Sequence, residues 1–93
     1  MAVYLVSYKI GKKNLETRDY GGLVTTLENY EDSCRIFDNQ WFVCSEGTAD
    51  DIHEDLAQYL YNNDYIFITE MGDNYRGWLP ERVVDWLREN IYI

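Results

Sequence analysis

An α+β domain built on one four-stranded antiparallel sheet is the fold class that this sequence predicts, and three observations predict it. Four short runs rich in β-branched and aromatic residues are separated by segments whose apolar residues recur every three or four positions. Those runs fall in the order β-α-β-β-α-β, with one more helix at the end. Ninety-three residues leave room for a single core, and 46% apolar with 27% charged residues is the mix of a folded globular chain.

The first strand is predicted over Val3 to Ile10, closed by Gly11. Its even positions are Tyr4, Val6, Tyr8 and Ile10, and Val3 and Leu5 lead the odd ones, so both faces are apolar as in an interior strand. Lys12 to Thr17 is polar and reads as a loop. Tyr20, Leu23, Val24, Leu27 and Tyr30 then share one helical arc, which Asp19 or Thr17 can cap. Ser33 to Phe37 and Gln40 to Ser45 form a hairpin about Asp38-Asn39, two residues that tolerate the positive φ of tight turns. A plain two-residue turn pairs Ile36 with Trp41 and Cys34 with Val43, which sets Cys34, Ile36, Trp41 and Val43 on one face and Phe37, Phe42 and Cys44 on the other.

Thr48 followed three residues later by Asp51 predicts a capping box. The helix it opens has Ala49, Ile52, Leu56, Tyr59 and Leu60 inside and Asp51, Glu54, Asp55 and Gln58 outside. Asn62-Asn63-Asp64 stops it. Tyr65 to Met71 is the fourth strand, with Ile66 and Ile68 on one face and Tyr65, Phe67 and Thr69 on the other. After a loop from Gly72 to Gly77, Pro80 suits a first helical position, and Val83, Val84, Trp86, Leu87 and Ile91 make one arc of a last helix that frays into Ile91-Tyr92-Ile93.

This order is the split βαβ, ferredoxin-like arrangement, a four-stranded antiparallel sheet with two helices on one face plus a C-terminal helix. Two helices cover one sheet face, yet every strand offers apolar groups to both. The second face therefore predicts a homodimer packed sheet to sheet, with Leu5, Ser7, Phe37, Phe42, Cys44 and Phe67 at the seam.

Seventeen acidic against eight basic residues give a net charge of −9, which excludes a broad duplex-DNA surface and favours a basic protein partner. Residues 1 to 18 depart from this, holding Lys9, Lys12, Lys13 and Arg18 against Glu16 alone. That patch is an expected contact for an anion or a partner. Two cysteines are too few for a disulfide scaffold, no run reaches the ~18 apolar residues of a membrane span, and the N-terminus has no leader-like pattern. A cytoplasmic protein is expected.

The segments YLVSYKI, DNQWFVCSE, TADDIHEDL, DYIFITE and GWLPERVVDWL together make the chain resemble small proteins of the CRISPR-associated protein 2 type, especially the short relatives called SinR-like. The resemblance implies a ferredoxin-like homodimer of bacterial or phage setting. Some members of that group are metal-dependent nucleases with an acid in a Tyr-Asp-hydrophobic step just after the first strand. The matching step here is Tyr8-Lys9-Ile10, and lysine cannot coordinate a hard divalent cation. A lysine at a dimer seam would instead meet a phosphate or a carboxylate such as Glu70.

No other constellation carries chemistry. His53, the only histidine, fits no metal spacing and reads as a partly buried structural residue. Cys34 and Cys44 fall on opposite faces of the predicted hairpin and read as small core residues. Asp64, Glu70 and Asp73 bracket the fourth strand, where they could hold a cation across a dimer axis, but their ordinary role is solubility. The many tyrosines suggest base stacking, which an anionic body disfavours. The expected function is therefore non-catalytic macromolecular binding, without metal or cofactor. Two other readings are a metal-dependent endoribonuclease with a displaced acid and an acidic mimic of nucleic acid.

Overall fold

A computed structural model describes residues 1 to 91, so the expectations for Tyr92 and Ile93 lie outside the described residues. The elements are β1 (Ala2–Lys9), α1 (Lys12–Thr17), α2 (Gly21–Glu28), β2 (Asp32–Phe37), β3 (Gln40–Ser45), α3 (Ala49–Ala57), β4 (Tyr65–Met71) and α4 (Glu81–Asn90). The sheet runs β2-β3-β1-β4 with every pair antiparallel. Each βαβ unit is thus split by a strand of the other, as the ferredoxin-like reading requires.

The even face of β1 meets α2 and α3. Tyr4, Val6 and Tyr8 join Trp41 and Val43 of β3 beneath Leu23 and Leu27 of α2 and Ile52 and Leu56 of α3. Leu23, Leu27, Ile52 and Leu56 are fully buried, and each stabilises the fold by roughly 1.5 to 3 kcal/mol. The tyrosines also tie down loops, with the Tyr4 hydroxyl donating to the Gly47 carbonyl (2.9 Å) and the Tyr8 hydroxyl to that of Asp38 (3.1 Å).

Local signals act largely as read. The Asp51 amide donates to the Thr48 hydroxyl (3.2 Å) while the Thr48 amide donates to the Asp51 carboxylate (2.8 Å), completing the box that starts α3. At α2 the N-cap is Tyr20, with no side-chain cap bond, rather than Asp19 or Thr17; the Asp19 carboxylate, one residue earlier, accepts from the Gly21 amide (2.8 Å). Pro80 stands one residue earlier than expected, as the N-cap of α4. Lys12 to Thr17 is helical rather than a loop, because a tertiary contact holds this polar turn: the Asn14 side chain donates to the Asn62 carbonyl (2.8 Å) and to Asp64 (2.9 Å).

The larger corrections concern the second sheet face. Cys34 pairs with Phe42 and Arg35 with Trp41, whereas Phe37 pairs with Gln40, so a bulge between Arg35 and Phe37 absorbs one residue. Cys34 and Ile36 consequently turn to the side of Phe42 and Cys44. Both cysteines lie on this one face, free and buried, and burial pushes both thiols up. Helix α4 lies over that face, with Val83 and Leu87 packed on Val3, Cys34, Ile36, Phe42 and Cys44 and with Leu5 half-buried beside them. The Trp86 ring stacks on Phe42 at 6.0 Å. Phe42 and Cys44 are therefore core residues of their own chain, and the expected seam through them is occupied.

Candidate functional site

Register shows what α4 leaves uncovered. On its side of the sheet the cross-strand rows are Met71-Val3-Cys44, Thr69-Leu5-Phe42, Phe67-Ser7-Gln40 and Tyr65-Lys9. The first two rows contribute to the cluster around α4. The last two rows form an open shelf, where Phe67 is 66% and Tyr65 69% exposed. Phe37, paired with Gln40, is also exposed, and the Gln40 amide donates weakly to the Ser7 hydroxyl (3.4 Å). Of the six expected seam residues, Phe37 and Phe67 are thus exposed, Ser7 and Leu5 half-buried, and Phe42 and Cys44 internal.

The two outer strands of the sheet are treated differently. On β2 the bulge breaks the ladder, and the Arg82 guanidinium donates to the carbonyls of Arg35 (2.7 Å) and Ile36 (3.1 Å). The Trp86 indole donates to the Asp32 carboxylate (3.1 Å). Bulges, charges and side-chain caps of this kind discourage a further strand from adding. Strand β4 has no bulge and no side-chain cap, and Glu70 is its single charge: its seven residues pair with β1 without a break, and no described residue bonds to its outward main chain. Sequence reasoning missed this difference, because nothing in Arg82 itself announces that it caps a distant strand.

Lys9 ends β1 opposite Tyr65, and Lys12, Lys13 and Arg18 follow along and after α1, all exposed. The Arg18 guanidinium lies 4.6 Å over the Tyr61 ring. Arg35, not anticipated, joins this end of the molecule, where it shares with Lys9, Leu15 and Tyr20 a cavity of about 540 Å³. Lys9 does not meet Glu70, which pairs with Tyr4 at the far end of the strand.

Asp64 stands at the same end but is spent on structure. It accepts from the Gly11 amide (2.7 Å), the Asn14 side chain (2.9 Å), the Tyr20 hydroxyl (2.5 Å) and the Tyr61 amide (2.9 Å). Burial would raise its carboxyl, but the four donors outweigh burial and hold it at about 2. The Tyr20 hydroxyl is pushed up to about 12, by burial first and then by Asp64. Asp64, Glu70 and Asp73 do not converge, and among the described residues no three His, Cys, Asp or Glu side chains come together as a metal site. His53 is exposed rather than partly buried.

The outward side of α3 carries exposed Asp50, Asp51, Glu54 and Asp55. Asp51 closes the capping box and Asp55 accepts from the Tyr30 hydroxyl (2.9 Å), which leaves Asp50 and Glu54 to meet another molecule. No helix of the described chain is long and apolar enough to cross a membrane. Comparison of the chain with protein-family models, with curated proteins and with solved structures returns no match.

Proposed function

We propose that this protein is a non-catalytic homodimer that acts by binding another macromolecule, joined through β4 and presenting its anionic surface to a basic protein partner. The observation that carries the reading is the unequal treatment of the sheet edges, β2 capped and bulged and β4 bare beside exposed Tyr65 and Phe67. Antiparallel pairing of two β4 strands about Ile68 matches all seven residues. It sets Tyr65 against Met71, Ile66 against Glu70 and Phe67 against Thr69, and opposes no like charges. The result is one continuous eight-stranded sheet, a homodimer of another geometry than face-to-face packing. The resemblance to CRISPR-associated protein 2 points to the same assembly state. Asp50 and Glu54 then stand free on each copy for a cationic surface, an interaction that salt weakens.

Sedimentation equilibrium across the micromolar range tests the reading. The wild-type chain is expected to sediment as a dimer and the Tyr65→Glu, Phe67→Glu double variant as a folded monomer, since both side chains are largely exposed. A monomeric wild type, or a double variant that still dimerises, removes the proposal. RNA incubated with the protein and Mg²⁺ or Mn²⁺ is expected to stay intact; cleavage lost on Asp73→Ala would replace binding with the nuclease reading.

A further inference from the structure

The segment between β4 and α4, residues 72 to 80, has no regular structure, and among the described residues its stretch from Gly72 to Leu79 makes no hydrogen bond. Leu79 alone of this stretch packs into the α4-side core, while Trp78 is wholly exposed. A strap tied by so few interactions opens at low cost.

Between this strap and α4 lies a cavity of about 350 Å³. Phe42 and Leu87, both buried, form its floor, with Met71 and Val84 on the walls. Its two cationic lining residues are Arg76 of the strap and Arg88 of α4, both exposed. The chain has only eight basic residues against seventeen acidic ones, and two of the eight guanidinium or ammonium groups stand over this one apolar hollow. Neither cation is spent. Arg88 reaches Asp85 at 3.9 Å with both side chains more than half exposed, a pair worth little, and no described carboxylate pairs with Arg76.

We propose that this cavity binds a small amphipathic anion, its apolar body against Phe42, Met71 and Val84 and its carboxylate held by Arg76 and Arg88. The volume falls in the usual range of ligand pockets, about 300 to 1,000 Å³, and guanidinium groups are well suited to carboxylates. The strap, free of hydrogen bonds, lifts to admit the ligand and brings Arg76 down with it. The site lies on the same face of the sheet as Tyr65 and Phe67 but at the opposite end of β4, beside Met71, and every residue that lines it comes from one chain.

The carboxylate can be carried by an alkyl chain or by an aromatic ring, and titration calorimetry with decanoate below its micelle point and with 2-naphthoate separates the two. Saturable binding of one of them is expected, with decanol much weaker than decanoate. The Arg76→Gln, Arg88→Gln double variant, altered only at exposed positions, is expected to bind roughly tenfold or more weakly with an unchanged melting temperature. Val84→Trp fills the hollow and is expected to abolish binding. The proposal fails if neither carboxylate binds the wild-type chain, if decanol binds as well as decanoate, or if the double glutamine variant retains full affinity.

Discussion

Asp64 shows how much one carboxylate can organise. Its four donors come from the chain after β1, from α1, from the entry to α2 and from the turn before β4, so it fastens four segments at one point. The folded carboxyl, at about 2, lies below its ordinary 3.8. Its contribution is therefore complete above about pH 4 and is lost as the pH falls toward 2. Asp64→Asn is expected to cost roughly 1 to 2 kcal/mol in urea unfolding at pH 6, after discounting for solvent at a half-buried site, and to flatten the acid limb of stability. An asparagine variant as stable as the wild type at pH 6 would contradict this assignment. In the sequence, Asn62-Asn63-Asp64 is readable as a stop signal and Asn63 does take a left-handed φ of 73°. The hub itself is not readable, because three of its four donors sit 44 to 53 residues away in the chain.

The elements were foreseen where local signals are strong and misjudged where a neighbouring strand or loop intervenes. Periodicity and the Thr48-Asp51 pair define α3, and the apolar arcs of α2 and α4 are those expected. The hairpin differs because neither Asp38 nor Asn39 takes the positive φ that a mirror-image turn needs. An ordinary two-residue turn splays right-twisted strands, and the bulge between Arg35 and Phe37 absorbs the mismatch at the cost of one register step. That step carries Cys34 and Ile36 to the other face. Packing between helices is equally specific at Gly22, where an added Cβ would lie 2.6 Å from the Tyr59 ring. Gly22→Ala gains about 1 kcal/mol of helix propensity, yet the clash is expected to leave it about 1 to 3 kcal/mol less stable, in the range of overpacked sites. Thermal melts of Gly22→Ala with and without Tyr59→Leu would read the coupling; a stabilised single variant would disprove close packing here.

At the scale of the whole molecule the decisive fact is that α4 supplies the second cover of the sheet. It buries Val3, Cys34, Ile36, Phe42 and Cys44 and leaves open the shelf around Tyr65 and Phe67. A chain ended at Asp73 is expected to aggregate or to bind 1-anilinonaphthalene-8-sulfonate strongly, since five buried side chains would face water. If the shortened chain stays monodisperse with the original melting temperature, α4 is not the cover assigned to it. Charge is arranged on the same scale. Lys9, Lys12, Lys13, Arg18 and Arg35 gather at one end of the sheet, while Asp50 and Glu54 remain free on the outward side of α3.

By itself the sequence determined the four strands, three of the four helices, the capping box of α3, and a sheet apolar on both faces, because these follow from side-chain pattern within a few residues of each position. Tertiary structure decided the hairpin register, the short helix α1, the role of Asp64 and, above all, whose atoms cover the second face. An apolar side chain records only that water must be excluded from it. Whether a helix of the same chain or a second molecule excludes that water is settled by where the chain leads after β4, and here it leads back across the sheet.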